Sequence, residues 1–208
     1  MFDTDNQIEA VDREVGSRQL EEGEGATIVL SQTFETDIDD VWEACTDADR
    51  IPEWFLPISG ELEREGQYQL EGNAGGTIEA CDPPGSFPAT WEFGGQVSWI
   101  ELRLDEVGEG RTRLELEHVA PKDESWSEFG PGAAGVGWDL TMVGLATYLR
   151  TGQPVEQEQG QAWAASDYGK AFIRRVSRCW ADAHVEAGED DAVAQDAAER
   201  TVAFYTGV

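Results

Sequence analysis

Gly132–Arg150, GAAGVGWDLTMVGLATYLR, is the stretch that decides the fold. It is long enough for about five turns of helix. Trp138, Met142, Leu145 and Leu149 recur at helical spacing as one apolar stripe, and Val136, Leu140, Val143 and Thr147 form a second on roughly the opposite side. Only Asp139 and Arg150 are charged. A helix apolar nearly all round has to be buried, and this one is too short and too glycine-rich to be a membrane span. Two things must therefore cover it. The expectation is that a sheet faces the Trp138 stripe and the C-terminal tail meets the Val136–Leu140–Val143 stripe.

Upstream of the helix the period is two. Phe87, Ala89, Trp91 and Phe93 alternate with polar neighbours and end at Gly94-Gly95. Ile100, Leu102 and Leu104 alternate with Glu101, Arg103 and Asp105, and Leu114, Leu116 and His118 with Arg113, Glu115 and Glu117. Tyr68 and Leu70, Ile78 and Ala80, and a short strand around Leu62 precede them. Short strands joined by Gly-based turns read as an antiparallel meander with one apolar face. Further upstream, 26–36 reads as a strand, Asp37 as an N-cap to a short helix with Val41, Trp42 and Cys45, and Trp54 and Phe55 as a second short turn. Residues 1–24 are polar and acidic and read as an arm, in part pinned to a sheet edge. Downstream, 151–161 is a polar linker, 162–187 a helix and 190–205 a last amphipathic helix. The order gives an α+β chain in three parts: 1–24, 25–150 and 151–208.

The bulk numbers restrict partners. Net charge is −29, from 43 acids against 14 bases, and the only lysines are Lys122 and Lys170. Such a surface repels nucleic-acid phosphates and anionic membranes alike. It suits a highly soluble cytoplasmic protein or one adapted to a salty cytoplasm, and composition does not separate the two. Cys45, Cys81 and Cys179 are odd in number and far apart, which argues against a disulfide framework and for a reducing compartment. The N-terminus lacks the charged and apolar regions of a signal peptide.

Three runs carry a family resemblance. VWEACTDADRIPEWF (41–55) is similar to the first helical pair of the START-like (SRPBCC) superfamily, in the branch related to the C-terminal domain of the activator of Hsp90 ATPase homologue. ATWEFGGQVSWIELRL (89–104) resembles its central strands. LELEH (114–118) with GWDLTMVGLATYL (137–149) resembles its last strand and closing helix. The resemblance covers roughly residues 26–150. It implies a helix-grip fold, with a curved antiparallel sheet wrapped around the long helix over a cavity, here carrying an extra helical C-terminal extension. The extra N-terminal domain of the eukaryotic co-chaperones has no counterpart in residues 1–25, which speaks against chaperone activation.

The candidate site follows from these elements. Trp54, Phe55, Tyr68, Leu70, Trp91, Phe93, Leu102, Leu116, His118, Trp138, Met142 and Leu145 are expected to border a ligand cavity between sheet and helix, and Trp99 and Trp126 are further aromatic candidates. The same residues also fit plain core. His118 reads either as a hydrogen-bonded core histidine or as a general base assisted by Tyr68 or Asp139. Asp139, if buried, needs a partner, and Arg174, Arg175 and Arg178 of the tail are the candidates. Neither metal nor cofactor is expected: the Cys and His spacing fits no metal set, and GNAGG and EFGGQ are hairpin turns rather than phosphate loops. No GxSxG or Cys/His nucleophile is present. The expected function is binding of a small hydrophobic molecule. The alternatives are a cyclase- or hydrolase-like enzyme, or an interaction protein that forms a homodimer through its C-terminal extension.

Overall fold

Eight strands form one sheet in the order β1-β2-β8-β7-β6-β5-β4-β3. They are β1 (Val11–Leu20), β2 (Gly23–Phe34), β3 (Ile58–Gly60), β4 (Gln67–Leu70), β5 (Gly75–Thr77), β6 (Ser86–Phe93), β7 (Gln96–Gly108) and β8 (Arg111–Pro121). The helices are α1 (Thr4–Ala10), α2 (Ile38–Thr46), α3 (Glu124–Phe129), α4 (Gly132–Thr151), α5 (Gln157–Ala165), α6 (Asp167–Glu186) and α7 (Asp191–Thr206). The computed structural model describes residues 4–21 and 23–207. The sheet is antiparallel, curved and unclosed, and the architecture is a helix-grip α+β fold. Two compact units divide the chain: Met1–Leu30, Val119–Val143 and Glu158–Val208 in one, Ser31–His118 and Gly144–Gln157 in the other.

The second unit is built on alternation. β6 and β7 pair from Ser86↔Arg103 to Phe93↔Gln96 across the Gly94-Gly95 turn, where both glycines hold positive φ (60° and 83°). This register puts Phe87, Ala89 and Trp91 opposite Leu102, Ile100 and Ser98 on one face. Thr112, Leu114, Leu116 and His118 of β8 are all buried. β4 adds Tyr68 and Leu70, both buried, between exposed Gln67 and Gln69. Tyr68 pairs with Gly76 of β5, and its hydroxyl donates to the Thr90 carbonyl oxygen at 2.7 Å. A Cβ on Gly76 would stand 2.1 Å from that same oxygen, so only glycine lets β5 approach so closely. The strand expected around Leu62 is instead β3, at Ile58–Gly60. Leu62 follows it and packs on the apolar cluster from outside the ladder.

In the first unit the expected polar arm carries α1 and β1. Asp123 caps α3 by accepting from the Trp126 N–H, at 2.9 Å. The single helix expected over 162–187 is two, because Ser166 ends α5 and caps α6 by accepting from the Gly169 N–H. The tail meets α4 through glycines. A Cβ on Gly135 would lie 2.3 Å from the Trp180 indole, and one on Gly132 would lie 2.7 Å from the Thr201 hydroxyl. At helical spacing, Gly132 and Asp139 share a side of α4 with Val136 and Val143. Gly135, one turn before Trp138, lies toward the other stripe, so the tail contacts straddle the two and do not keep to the expected Val136–Leu140–Val143 side.

Candidate functional site

An apolar cluster on the sheet face of the second unit is the candidate site. Ile51, Tyr68, Leu70, Ile78 and Ala89 are buried at its centre. Phe55, Leu56, Ile58, Leu62, Phe87, Trp91 and Ile100 surround them and stay half-buried. Ile51 comes from a single 3-10 turn, Ile51–Glu53, opened by Pro52 at a position that needs no N–H. The next residues stack: Trp54 and Phe55 have ring centroids 5.6 Å apart at 21°. Trp54 is fixed by its indole N–H, which donates to the Ala44 carbonyl oxygen at 2.8 Å. Gly144 of α4 passes so near the Trp54 backbone that a Cβ would stand 2.6 Å from its carbonyl oxygen. Trp42 of α2 meets Phe87 edge-on at 6.4 Å.

One polar row crosses this face. Trp91 of β6 pairs with Ser98 of β7, and Ser98 in turn touches His118 of β8. The Ser98 hydroxyl donates to the Trp91 carbonyl oxygen at 3.0 Å, and His118 Nε2 lies 2.8 Å from Ser98 Oγ. A hydroxyl has one proton. With that proton on the carbonyl, Nε2 is the donor to Oγ and the ring is the Nε2–H tautomer. Burial pushes the His118 pKa down to about 4. At neutral pH the ring is therefore uncharged, and a group of that pKa is a weak base. The Trp91 and His118 rings lie 6.4 Å apart. The Tyr68 hydroxyl is pushed up in pKa by burial and committed to Thr90.

The structure thus gathers Phe55, Tyr68, Leu70 and Trp91 of the expected residues in one cluster. Leu116 and His118 are buried on β8, and Leu102 is half-buried opposite Phe87. Leu145 is buried in the same unit. Phe93, at the end of the Phe87–Trp91 row, is 58% exposed because it reaches the hairpin turn. Trp138 and Met142 are buried, and both belong to the first unit. Ile51, Ile78 and Ser98 are site residues that the sequence reading passes over. For Ser98 the signal was present: it holds the inward register of Ile100, Leu102 and Leu104, where a polar side chain is out of place.

Asp139 belongs to the first unit and is 1% exposed. The partner expected from Arg174, Arg175 or Arg178 is instead Arg13 of β1. Arg13 Nη2 donates to Oδ1 at 2.6 Å and Nε to Oδ2 at 3.2 Å, a two-pronged grip. The Trp180 indole N–H adds a third donor at 2.8 Å. Burial pushes the Asp139 carboxyl up against the pull of Arg13 and Trp180. Every oxygen has a donor, so the group is structural: it joins β1, α4 and α6.

Each unit also has a polar surface recess. That of the second unit, about 470 Å³, is lined by Asp37, Asp39, Asp40, Glu43, Glu106 and Arg111. Among the described residues no group of three or more His, Cys, Asp or Glu side chains could hold a metal ion. No helix there is long and apolar enough to cross a membrane. Burial pushes the Cys45 thiol up to about 12, which leaves it unreactive.

With this geometry the chain resembles several solved structures. A crystal structure of CalU16 from Micromonospora echinospora is 37% identical, with TM-score 0.60 over 75% of this chain and 97% of that one. A solution structure of CalU16 gives 32% identity and TM-score 0.70 over 86% of this chain and 97% of that one. DynU16, from the dynemicin biosynthetic locus, shares the fold at 21% identity, with TM-score 0.52 over 62% of this chain and 48% of that one. A comparison with curated proteins gave no match. Residues 35–150, which hold the whole apolar cluster, match the family described as Activator of Hsp90 ATPase homolog 1-like protein. The chain belongs to that family, within the SRPBCC superfamily.

Proposed function

We propose that this protein binds a small hydrophobic molecule against the apolar face formed by β4, β6, β7 and β8 in the second unit. One observation carries the reading. Seven large apolar side chains, Phe55, Leu56, Ile58, Leu62, Phe87, Trp91 and Ile100, stand around a buried centre and remain half-buried. A finished core would bury them. Covering ~100 Å² of such surface contributes about 2.5 kcal/mol, so an occupant that touched several of them would be held firmly. The ligand-binding character of the fold supports the reading, as does the mix of apolar walls with a few fixed polar groups, Ser98, His118 and Tyr68. A cytoplasmic, reducing setting suits the three free thiols. The reading is tested with Nile red, an uncharged dye that the acidic surface does not repel. Its emission should rise and shift to the blue with the wild-type protein, and Trp91→Ala should weaken binding about tenfold. A dye whose emission the protein leaves unchanged sinks the proposal.

Self-association is a companion proposal for the first unit. Tyr168, Val193 and Phe204 are exposed there, and the Phe204 ring packs tilted against Phe129 and edge-on to Tyr205, with centroids 5.4 and 5.3 Å away. A surface aromatic group of this kind fits a contact between copies of the chain. Light scattering that finds a monomer at every concentration would rule it out.

A further inference from the structure

The sheet's register sorts its charges as strictly as its apolar residues. On β7, Ser98, Ile100, Leu102 and Leu104 face the cluster, and Val97, Trp99, Glu101 and Arg103 take the opposite face. On β8, Thr112, Leu114, Leu116 and His118 alternate with Arg111, Arg113, Glu115 and Glu117. Every arginine of both strands is therefore turned away from the apolar face. Each is also held there. Arg103 grips Glu115, Glu117 and Glu101 at 2.5, 2.8 and 2.9 Å. Arg111 reaches Glu35 at 3.0 Å, and Arg113 donates to Ser31 Oγ at 2.6 Å.

The unit's remaining cations do not replace them. Arg50 is held by Asp40, Glu43 and the Tyr148 hydroxyl. Arg64 and Arg150 are exposed. Lys122 and Lys170, the chain's lysines, lie in the other unit. The polar groups left on the apolar face are neutral: the Ser98 and Tyr68 hydroxyls, the Thr112 hydroxyl that donates to the Thr36 carbonyl oxygen at 2.8 Å, and the His118 ring. A carboxylate seated there would lose its water and gain no cation, and a buried ion without a partner is strongly penalised. A hydroxyl, carbonyl or ester group loses far less on leaving water.

We propose, resting on the hydrophobic-ligand reading above, that the occupant is an uncharged hydrophobe, an alcohol, ketone or ester, and not a carboxylic acid. The sorting of arginines to the outer face makes β7 and β8 the strands that set this specificity.

The test compares three probes with one chain length: dodecanol, methyl dodecanoate and dodecanoate. Binding is read from quenching of tryptophan fluorescence at about pH 8, where the acid is ionised. Molar sodium chloride shortens the Debye length to about 3 Å, so the net charge of the protein does not bias the comparison. The expected result is that dodecanol and methyl dodecanoate bind about tenfold or more tightly than dodecanoate. Dodecanoate binding as tightly as the neutral probes overturns the specificity while leaving the hydrophobic site in place. If none of the three binds, the hydrophobic-ligand reading fails and this inference fails with it.

Discussion

Asp139 stays buried only because two distant side chains meet it. Arg13 lies 126 positions away and Trp180 lies 41. Removing one member of a buried pair strands the other, which costs about 3–5 kcal/mol. Asp139→Ala should therefore lower stability to urea by about that much. Arg13→Met combined with Asp139→Leu should recover most of the loss, because neither charge remains. A double variant as unstable as Asp139→Ala alone would show that the pair does more than satisfy itself. His118 sets a second residue-scale expectation. Its folded pKa is about 4, against about 6.5 in an unfolded chain. As pH falls through 6.5 the unfolded chain takes a proton that the folded ring refuses, so stability drops. The loss levels off below about 4, once both forms are protonated, at about 3 kcal/mol. His118→Gln keeps an N–H for Ser98 and should flatten that slope in urea denaturation. His184, whose pKa is also lowered by burial, contributes part of the slope that remains. An unchanged slope in His118→Gln contradicts the assignment.

At the scale of the elements, α4 shows how packing overrides propensity. Alanine is the better helix former by about 1 kcal/mol. Yet a Cβ on Gly135 would strike Trp180, which is 1% exposed and cannot give way. Gly135→Ala should destabilise by about 1–3 kcal/mol through overpacking. Gly160→Ala in α5, where nothing lies within 4 Å, should instead stabilise by up to about 1 kcal/mol. Thermal unfolding of the two variants checks the contrast, and equal shifts would refute it. The same contrast explains what the sequence reveals. β6, β7 and β8 are legible because one face is apolar and the other charged, so period two survives in the text. α4 is legible because no side of it is polar. β1 is not legible, since Arg13 fills the inward slot between Val11 and Val15 and looks like a surface charge. Its compensation is an acid far along the chain. The apolar cluster is half legible. Tyr68, Leu70 and Trp91 stand out by alternation, whereas Ile51 and Ile78 lie outside the regular strands and reach the cluster only through the fold.

On the whole-molecule scale, the net charge of −29 is carried by a surface on which several of the few cations are paired with acids. Arg103 alone holds three carboxylates, and Lys122 holds Glu24. An excess of this size repels itself and other anions. The arginines of β7 and β8 lie on the opposite face from the apolar cluster of the second unit, and the ligand site proposed above lies on that apolar face. Native mass spectrometry of freshly purified protein is the most direct test of that central claim. Expected is a peak heavier than the chain by the mass of one apolar small molecule, which denaturing conditions release and Trp91→Ala diminishes. A spectrum with the bare chain alone, unchanged after incubation with Nile red, would contradict it.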